Sequence, residues 1–339
     1  MQIYKNIPIL QRLTAIACMY KFQPIYKTTV WGGERIAPFK GVENGLTHVG
    51  ESWELSGIPG SESVVIEGYH VGATLPELVA REGVALLGRK NLAQFGEEFP
   101  LLIKLIDARK DLSIQVHPDD ALAMARHRKK GKTEMWYILD AEPEASLIAG
   151  FSQMITPHEY DELISEGRIT DVLARHTVAV GDCFFLPAGR IHTIGAGILL
   201  VEIQQASDVT YRVYDYGRLG LDGKPRELHI DEAREAIDYH LYDHYHTYYE
   251  THPNQGNELV RCDYFTTALY ELTEVIELPI APLDSFVVVI ALEGAGSLST
   301  EDGRTISIRQ GETILVAAHH QSLTLRPHGK LKLLTAYCS

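Results

Sequence analysis

The stretch Leu112-Ser113-Ile114-Gln115-Val116-His117-Pro118-Asp119-Asp120 alternates polar and apolar side chains and ends at a proline. Read as a strand, it sends Ser113, Gln115 and His117 to one face and Ile114 and Val116 to the other. Pro118 has no N–H to donate, so it ends the pairing. Two side chains with lone pairs, converging from one strand, are the start of a metal site. Two later segments are suited to meet this face. Lys132-Thr133-Glu134-Met135-Trp136-Tyr137 brings a carboxylate, and Gly181 to His192 brings an imidazole after the turn Pro187-Ala188-Gly189. We therefore expect Gln115, His117, Glu134 and His192 to hold one divalent metal.

Outward from that strand the pattern is mostly β. Leu101-Leu102-Ile103-Lys104-Leu105-Ile106 reads as a continuous buried strand that leads into it. Met135 to Leu139, Ala145 to Ala149, Thr177 to Leu186, Ile198 to Gln204 and Val209 to Tyr214 read as further strands. Val49 to Ser56 and Ser63 to Glu67 alternate as half-buried antiparallel strands do. Trp31-Gly32-Gly33 reads as a turn closed by glycines. Three helical excursions interrupt the strands. Thr74 to Leu87 carries a capping box in Thr74 and Glu77. Asp119 to Lys132 follows Pro118, with Gly131 as its C-cap and His127 to Lys130 as a solvated basic end. Thr156 to Ala174 is the third. Many short strands with a few inserted helices predict a mainly β fold, a jelly-roll sandwich.

The chain has 339 residues, enough for two domains, and a formal charge of −14 with His neutral. That balance argues against a nucleic-acid or anionic-membrane partner, which needs basic patches. It leaves room for a small anionic substrate. Cys18, Cys183, Cys262 and Cys338 form no CxxC pair, as expected of reduced thiols in a cytoplasmic protein. No apolar run reaches transmembrane length. Residues 1–19 are expected to be an extension outside the fold, with Met19 as a true start. Residues 20–240 form the metal-binding domain. Residues 241–253 read as a polar, aromatic linker whose histidines (His240, His244, His246 and His252 around it) lack ordered ligand spacing. Residues 254–339 form a second, smaller β-sandwich. Gly181-Asp182 and the strand after it match Gly311-Glu312 and Ile314 to Ala318. In that register His192 falls opposite Ser322, so no metal is expected in the second sandwich.

Gly181-x5-Pro187-x-Gly189-x2-His192 resembles the second cupin motif. The usual first motif, with paired histidines and a close glutamate, is replaced by Gln115-x-His117 and a later Glu134. Two imidazoles, a carboxylate and an amide oxygen suit zinc with one position left open, and Mn, Fe or Co are compatible. Six segments then make the resemblance specific: Trp31-Gly32-Gly33, Gly50-Glu51-Ser52-Trp53-Glu54, Gln115-Val116-His117-Pro118-Asp119, Lys132-Thr133-Glu134-Met135-Trp136, Pro187-Ala188-Gly189-x2-His192, and Thr210 to Asp215. The chain resembles the type I mannose-6-phosphate isomerases of the short bacterial form, over roughly residues 22 to 240. The resemblance implies a cupin-type fold and zinc-dependent interconversion of mannose 6-phosphate and fructose 6-phosphate. It implies one Zn2+ on Gln115, His117, Glu134 and His192, and Arg212 as the catalytic arginine.

An aldose–ketose isomerisation passes through a cis-enediol(ate) with negative charge on oxygen. A metal and the permanent charge of Arg212 both suit that charge. Lys132, two residues before Glu134, is expected on the same side as acid/base group or phosphate contact. Ser113 shares the face of Gln115 and His117 and is a candidate for the phosphate. Asp215 and Glu202 are weaker candidates for the base, and Glu51 and Glu54 are read as structural. The competing reading is a non-catalytic sugar-phosphate sensor on the same scaffold. A dioxygenase fits less well, because it has no use for an arginine beside an anionic sugar. No membrane or nucleic-acid partner is expected, and the assembly is expected to be a monomer or homodimer.

Overall fold

The computed structural model describes residues 19–43 and 45–338. The expectation about residues 1–18 lies outside them. The chain divides into two compact units that interleave along the sequence. One holds residues 24–61 and 101–249; the described part of the other holds 19–23, 62–100 and 250–338. This differs from the linear division expected at residues 240 to 254. The reason is strand pairing: Met19–Phe22 lies between Thr313–Val316 and Val65–Glu67, antiparallel to both.

The first unit contains two antiparallel sheets. A six-stranded sheet runs in the order Cys183–Leu186, Glu134–Ala141, Ile198–Gln205, Leu101–Ala108, Ile25–Gly33 and Val49–Leu55. A five-stranded sheet runs Leu173–Thr177, Ser146–Phe151, His192–Thr193, Ile114–Val116 and Tyr211–Tyr214. Their inner faces share one core, built from Trp31, Ile106, Trp136 and Ile138 on one side and Leu147, Ala149 and Ala174 on the other. Period-two alternation turns Ile114 and Val116 outward, and a register shift between Ile148 and Phe151 brings both of those to the same side. There they pack with Tyr160 of the helix Pro157–Ser165 and Ala233 of the helix Ile230–Ala236. The fold is mainly β, as the alternation predicts.

Three local expectations change. Trp31-Gly32-Gly33 is no turn but the end of the strand Ile25–Gly33. A Cβ on Gly33 would lie 2.1 Å from Asp107 Oδ2, so glycine is needed for close approach. That buried carboxylate accepts the Arg35 backbone N–H at 2.7 Å and Arg35 Nε at 2.8 Å. The helix after Pro118 is Asp120–His127, capped by Asp119 and ended by Arg128 at φ 55°, not by Gly131. Gly131 instead donates its N–H to Asp120 Oδ1 at 2.7 Å. Finally, residues 241–249 are packed onto the first unit rather than strung out as a linker. Tyr245 is buried in the core, and its hydroxyl donates to Phe151 O at 2.9 Å.

The second unit is one nine-stranded sheet, with Val287–Thr300 and Ser322–Tyr337 paired at its centre. Its core gathers Val287, Val289, Leu298, Ile314, Leu323 and Leu333. Val287–Thr300 is one continuous strand of 14 residues. The Thr74–Glu77 capping box is present and starts Leu75–Glu82; Gly83 then breaks the helix before Val84–Leu87. Cys183, Cys262 and Cys338 form no disulfide among the described residues. No described helix is long and apolar enough to cross a membrane.

Candidate metal centre

Strand register builds the site. His192 faces Gln115 on the next strand, and Gln115 faces Arg212 on the strand beyond. Residues directly opposite in an antiparallel pair share a face, so the three form one row. Ser113 and His117 continue that face along the chain. The turn before His192 is tied down at both ends. Gly189, at φ +88°, donates its N–H to His117 O at 2.8 Å, and the Ala188 N–H reaches Thr133 Oγ1 at 3.1 Å. From the six-stranded sheet, Glu134 sits opposite Leu186 and Gln204.

His117, Glu134 and His192 meet in the interior. Their ligand atoms lie within 4.8 Å of one another. Glu134 Oε2 is 3.6 Å from His117 Nε2, and Glu134 Oε1 is 3.3 Å from His192 Nε2. Gln115 Nε2 is 3.3 Å from His192 Nε2. Each imidazole is oriented by its other nitrogen: His117 Nδ1 donates to Val209 O at 2.9 Å, and His192 Nδ1 to Arg190 O at 2.7 Å. That fixes the tautomer and aims both Nε2 lone pairs inward. Burial, with Lys132 nearby, keeps His117 neutral far below its ordinary range, and burial drops His192 to about 3. Both are therefore neutral at working pH, with lone pairs that could hold a cation.

The donor set fits a divalent cation. Glu134 is fully buried; its Oε2 is 2.6 Å from Lys132 Nζ, while Oε1 accepts no hydrogen bond. Burial, with Glu202 added, pushes its carboxyl up to about 7 despite Lys132. A cation on two imidazole nitrogens, one carboxylate and one amide oxygen would satisfy that orphaned oxygen.

Lys132 is buried, with Nζ 2.6 Å from Glu134 Oε2, 3.1 Å from His117 Nε2 and 3.8 Å from Glu202 Oε1. Glu202 also holds Lys104 Nζ at 2.9 Å and accepts from Trp136 Nε1 at 3.0 Å. Burial alone would raise its carboxyl, but Lys104 and Lys132 hold it down at about 2. Lys104 was missed in the sequence. The available signal was a single ammonium inside the apolar run Leu101 to Ile106. Glu51 lies 3.7 Å from Lys104 and accepts from Trp53 Nε1 at 2.6 Å. Glu54 is paired away from the site, 2.5 Å from Lys40 Nζ and 2.6 Å from Ser52 Oγ.

Arg212 Nε donates to Ser113 Oγ at 3.3 Å, and Arg212 Nη1 to Glu227 O at 2.8 Å. Asp215 is taken up by Arg218 and Arg226 rather than by the His117–Glu134–His192 group. The basic run is spent on its own surface: His127 Nε2 meets Tyr211 Oη at 2.8 Å, and Lys129 Nζ meets Asp208 Oδ1 at 2.6 Å. In the strap, His246 pairs with Asp182 at 3.0 Å and His240 with Asp238 at 2.7 Å.

Comparison with known proteins places the chain in a family. Residues 19–156 match the family "Phosphomannose isomerase type I, catalytic domain". Residues 256–337 match "Mannose-6-phosphate isomerase, cupin domain", so the C-terminal segment carries more of the resemblance than its sequence suggested. Mannose-6-phosphate isomerase ManA of Bacillus subtilis is 36% identical over 283 residues, covering 82% of this chain and 86% of that protein. The crystal structure of the mannose 6-phosphate isomerase from Bacillus subtilis superposes with a TM-score of 0.85 at 31% identity, over 94% of this chain and 99% of that one. The apo mannose 6-phosphate isomerase from Salmonella typhimurium, at 16% identity, shares the fold with a TM-score of 0.75 over 96% of this chain and 100% of that one. The chain belongs to the type I mannose-6-phosphate isomerase family.

Proposed function

We propose that the chain interconverts mannose 6-phosphate and fructose 6-phosphate through a cis-enediol(ate), with one divalent cation, zinc in our reading, on Gln115, His117, Glu134 and His192. The observation that carries this reading is the buried His117–Glu134–His192 group, with Lys132 Nζ on one carboxylate oxygen and the other oxygen left without a hydrogen bond. When bound, the cation supplies Lewis-acid stabilisation for charge developing on the substrate oxygens. Arg212 offers those oxygens a permanent charge and fixed donors from the row it shares with Gln115. Ser113, next to the Arg212 guanidinium, offers a hydroxyl to the phosphate. Lys132 Nζ carries the proton between C1 and C2. The burial of Lys132, Glu134 and both histidines excludes water that would quench the intermediate.

Proton NMR in D2O under argon, with the metal-loaded chain and mannose 6-phosphate alone, tests this. The expected result is ketose product with deuterium at the transferred position in part of the molecules. A folded, metal-loaded chain that binds the sugar phosphate and makes no ketose contradicts the reading and leaves the sensor.

A further inference from the structure

We infer that Asp215 is a positioning residue: with Arg218 and Arg226 it latches the loop of residues 216–226, so that the segment returning from that loop holds the Arg212 guanidinium against Ser113. The inference rests on the role proposed above for Arg212.

The loop leaves the strand Tyr211–Tyr214 and comes back as the segment 227–229. It contains Gly217, Gly220 and Gly223 and exposes Leu219 (53%) and Leu221 (71%), so apolar burial does little to hold it. A glycine-rich loop of this length loses much conformational entropy on ordering, and something at its base must offset that loss. Within the loop, Gly220 N–H donates to Lys224 O at 2.7 Å. At the base sits Asp215, nearly buried at 6% exposure. Its Oδ2 accepts Arg226 Nε at 2.7 Å, and its Oδ1 accepts Arg226 Nη2 and, at 2.9 Å, Arg218 Nε. A two-pronged guanidinium–carboxylate pair is directional as well as strong. Arg218 Nη1 also donates to Asp111 O, two residues before Ser113. One carboxylate thus ties together the loop and the approach to the strand that carries Ser113, Gln115 and His117.

The consequence falls on Arg212. Directly after Arg226, Glu227 O accepts Arg212 Nη1 at 2.8 Å. His229 Nδ1 accepts the Arg212 N–H at 3.2 Å, and the His229 N–H donates back to Arg212 O at 2.8 Å. Two guanidiniums, Arg218 and Arg226, hold that carboxylate, and Arg212 lies within the electrostatic reach of all three groups. Replacing Asp215 by a neutral group removes the latch and leaves like charges to push apart. No metal ligand is among the groups that Asp215 touches, so the cation site should be unaffected.

Two readouts test this on the full-length chain. The first is the Arg212 Nε–H signal in 15N-arginine-labelled protein, assigned by its loss in Arg212→Lys. In Asp215→Asn its solvent exchange should quicken about tenfold or more, as for a donor whose local closure is lost. Unchanged exchange overturns the inference. The second is a kinetic cycle on metal-loaded enzyme. Asp215→Asn should lower kcat about 10- to 100-fold with metal content unchanged, and the same change in an Arg212→Lys background should cost less than about 2-fold. Equal losses in both backgrounds, or a wild-type kcat, overturn the inference. Should Asp215→Asn fail to fold, Arg226→Gln must show the same signature, and wild-type behaviour there overturns it. Failure of the isomerase reading is distinct: wild type then makes no ketose, while the exchange readout still decides the latch.

Discussion

Gln115 Nε2 lies 3.3 Å from His192 Nε2, between two residues that face each other across paired strands. His192 Nδ1 is committed to Arg190 O, so its Nε2 is an acceptor and the Gln115 amide donates to it. The amide nitrogen is therefore turned toward His192, a member of the His117–Glu134–His192 group. Coordination needs the amide oxygen there instead, and a half-turn of the terminal amide exchanges the two without moving the backbone. Gln115 is thus suited to satisfy the site in both states.

His192 and Gln115 should differ in weight. His192→Ala removes an imidazole ligand and should abolish both metal retention and turnover. Gln115→Ala removes the weakest donor and should reduce metal affinity about 10- to 100-fold. Metal content after dialysis, read with the rate, separates the two. Full metal in His192→Ala contradicts the ligand assignment.

Arg212 should matter for rate and not for metal. Arg212→Ala is expected to keep its cation and lose about 10²- to 10³-fold in kcat, the usual cost of a lost charge-stabilising donor. A variant near the wild-type rate contradicts the role given to Arg212.

Glu202 should shape acid stability. Its folded pKa of about 2 is below the ordinary 4.5. A depressed carboxylate contributes stability that is present above about pH 4.5 and lost as pH falls toward 2. The shift corresponds to roughly 3 kcal/mol. Glu202→Gln should be less stable at pH 7, because Lys104 and Lys132 lose a partner, and should show a flatter acid limb. Urea unfolding from pH 7 to pH 3 measures both. An unchanged slope contradicts the ion-pair account.

Gly33 should be intolerant of a methyl group. Gly33→Ala places a Cβ onto the Asp107 carboxylate that anchors Arg35. A loss of about 2–4 kcal/mol is expected in urea unfolding, from overpacking and a broken buried pair. Wild-type stability would show that this strand end can shift.

The local parts of the site were readable because a strand has a period of two. Ser113, Gln115 and His117 share a face by alternation alone, and the Pro187–Gly189 turn announces His192. Arg212 entered through family resemblance, since nothing local marks it. What the residues hid was non-local. Pairing Met19 with Val316 joins residues some three hundred positions apart and has no short-range signature. Gly131 was the better C-cap by propensity, yet Arg128 takes the left-handed position because Gly131 is needed for backbone approach to Asp119 and Asp120. Lys104 sits alone among apolar residues in its own strand, and its partner Glu202 comes from the opposite strand. The Asp215 latch depends on the path of a glycine-rich loop, which composition does not determine.

The most direct measurement is a coupled assay for fructose 6-phosphate formed from mannose 6-phosphate, before chelation, after it, and after zinc is added back. The expected result is activity that disappears with the chelator and returns with zinc. Full activity in the chelated, metal-free chain, or none in the folded, zinc-loaded chain, would contradict a metal-dependent isomerase built on His117, Glu134 and His192.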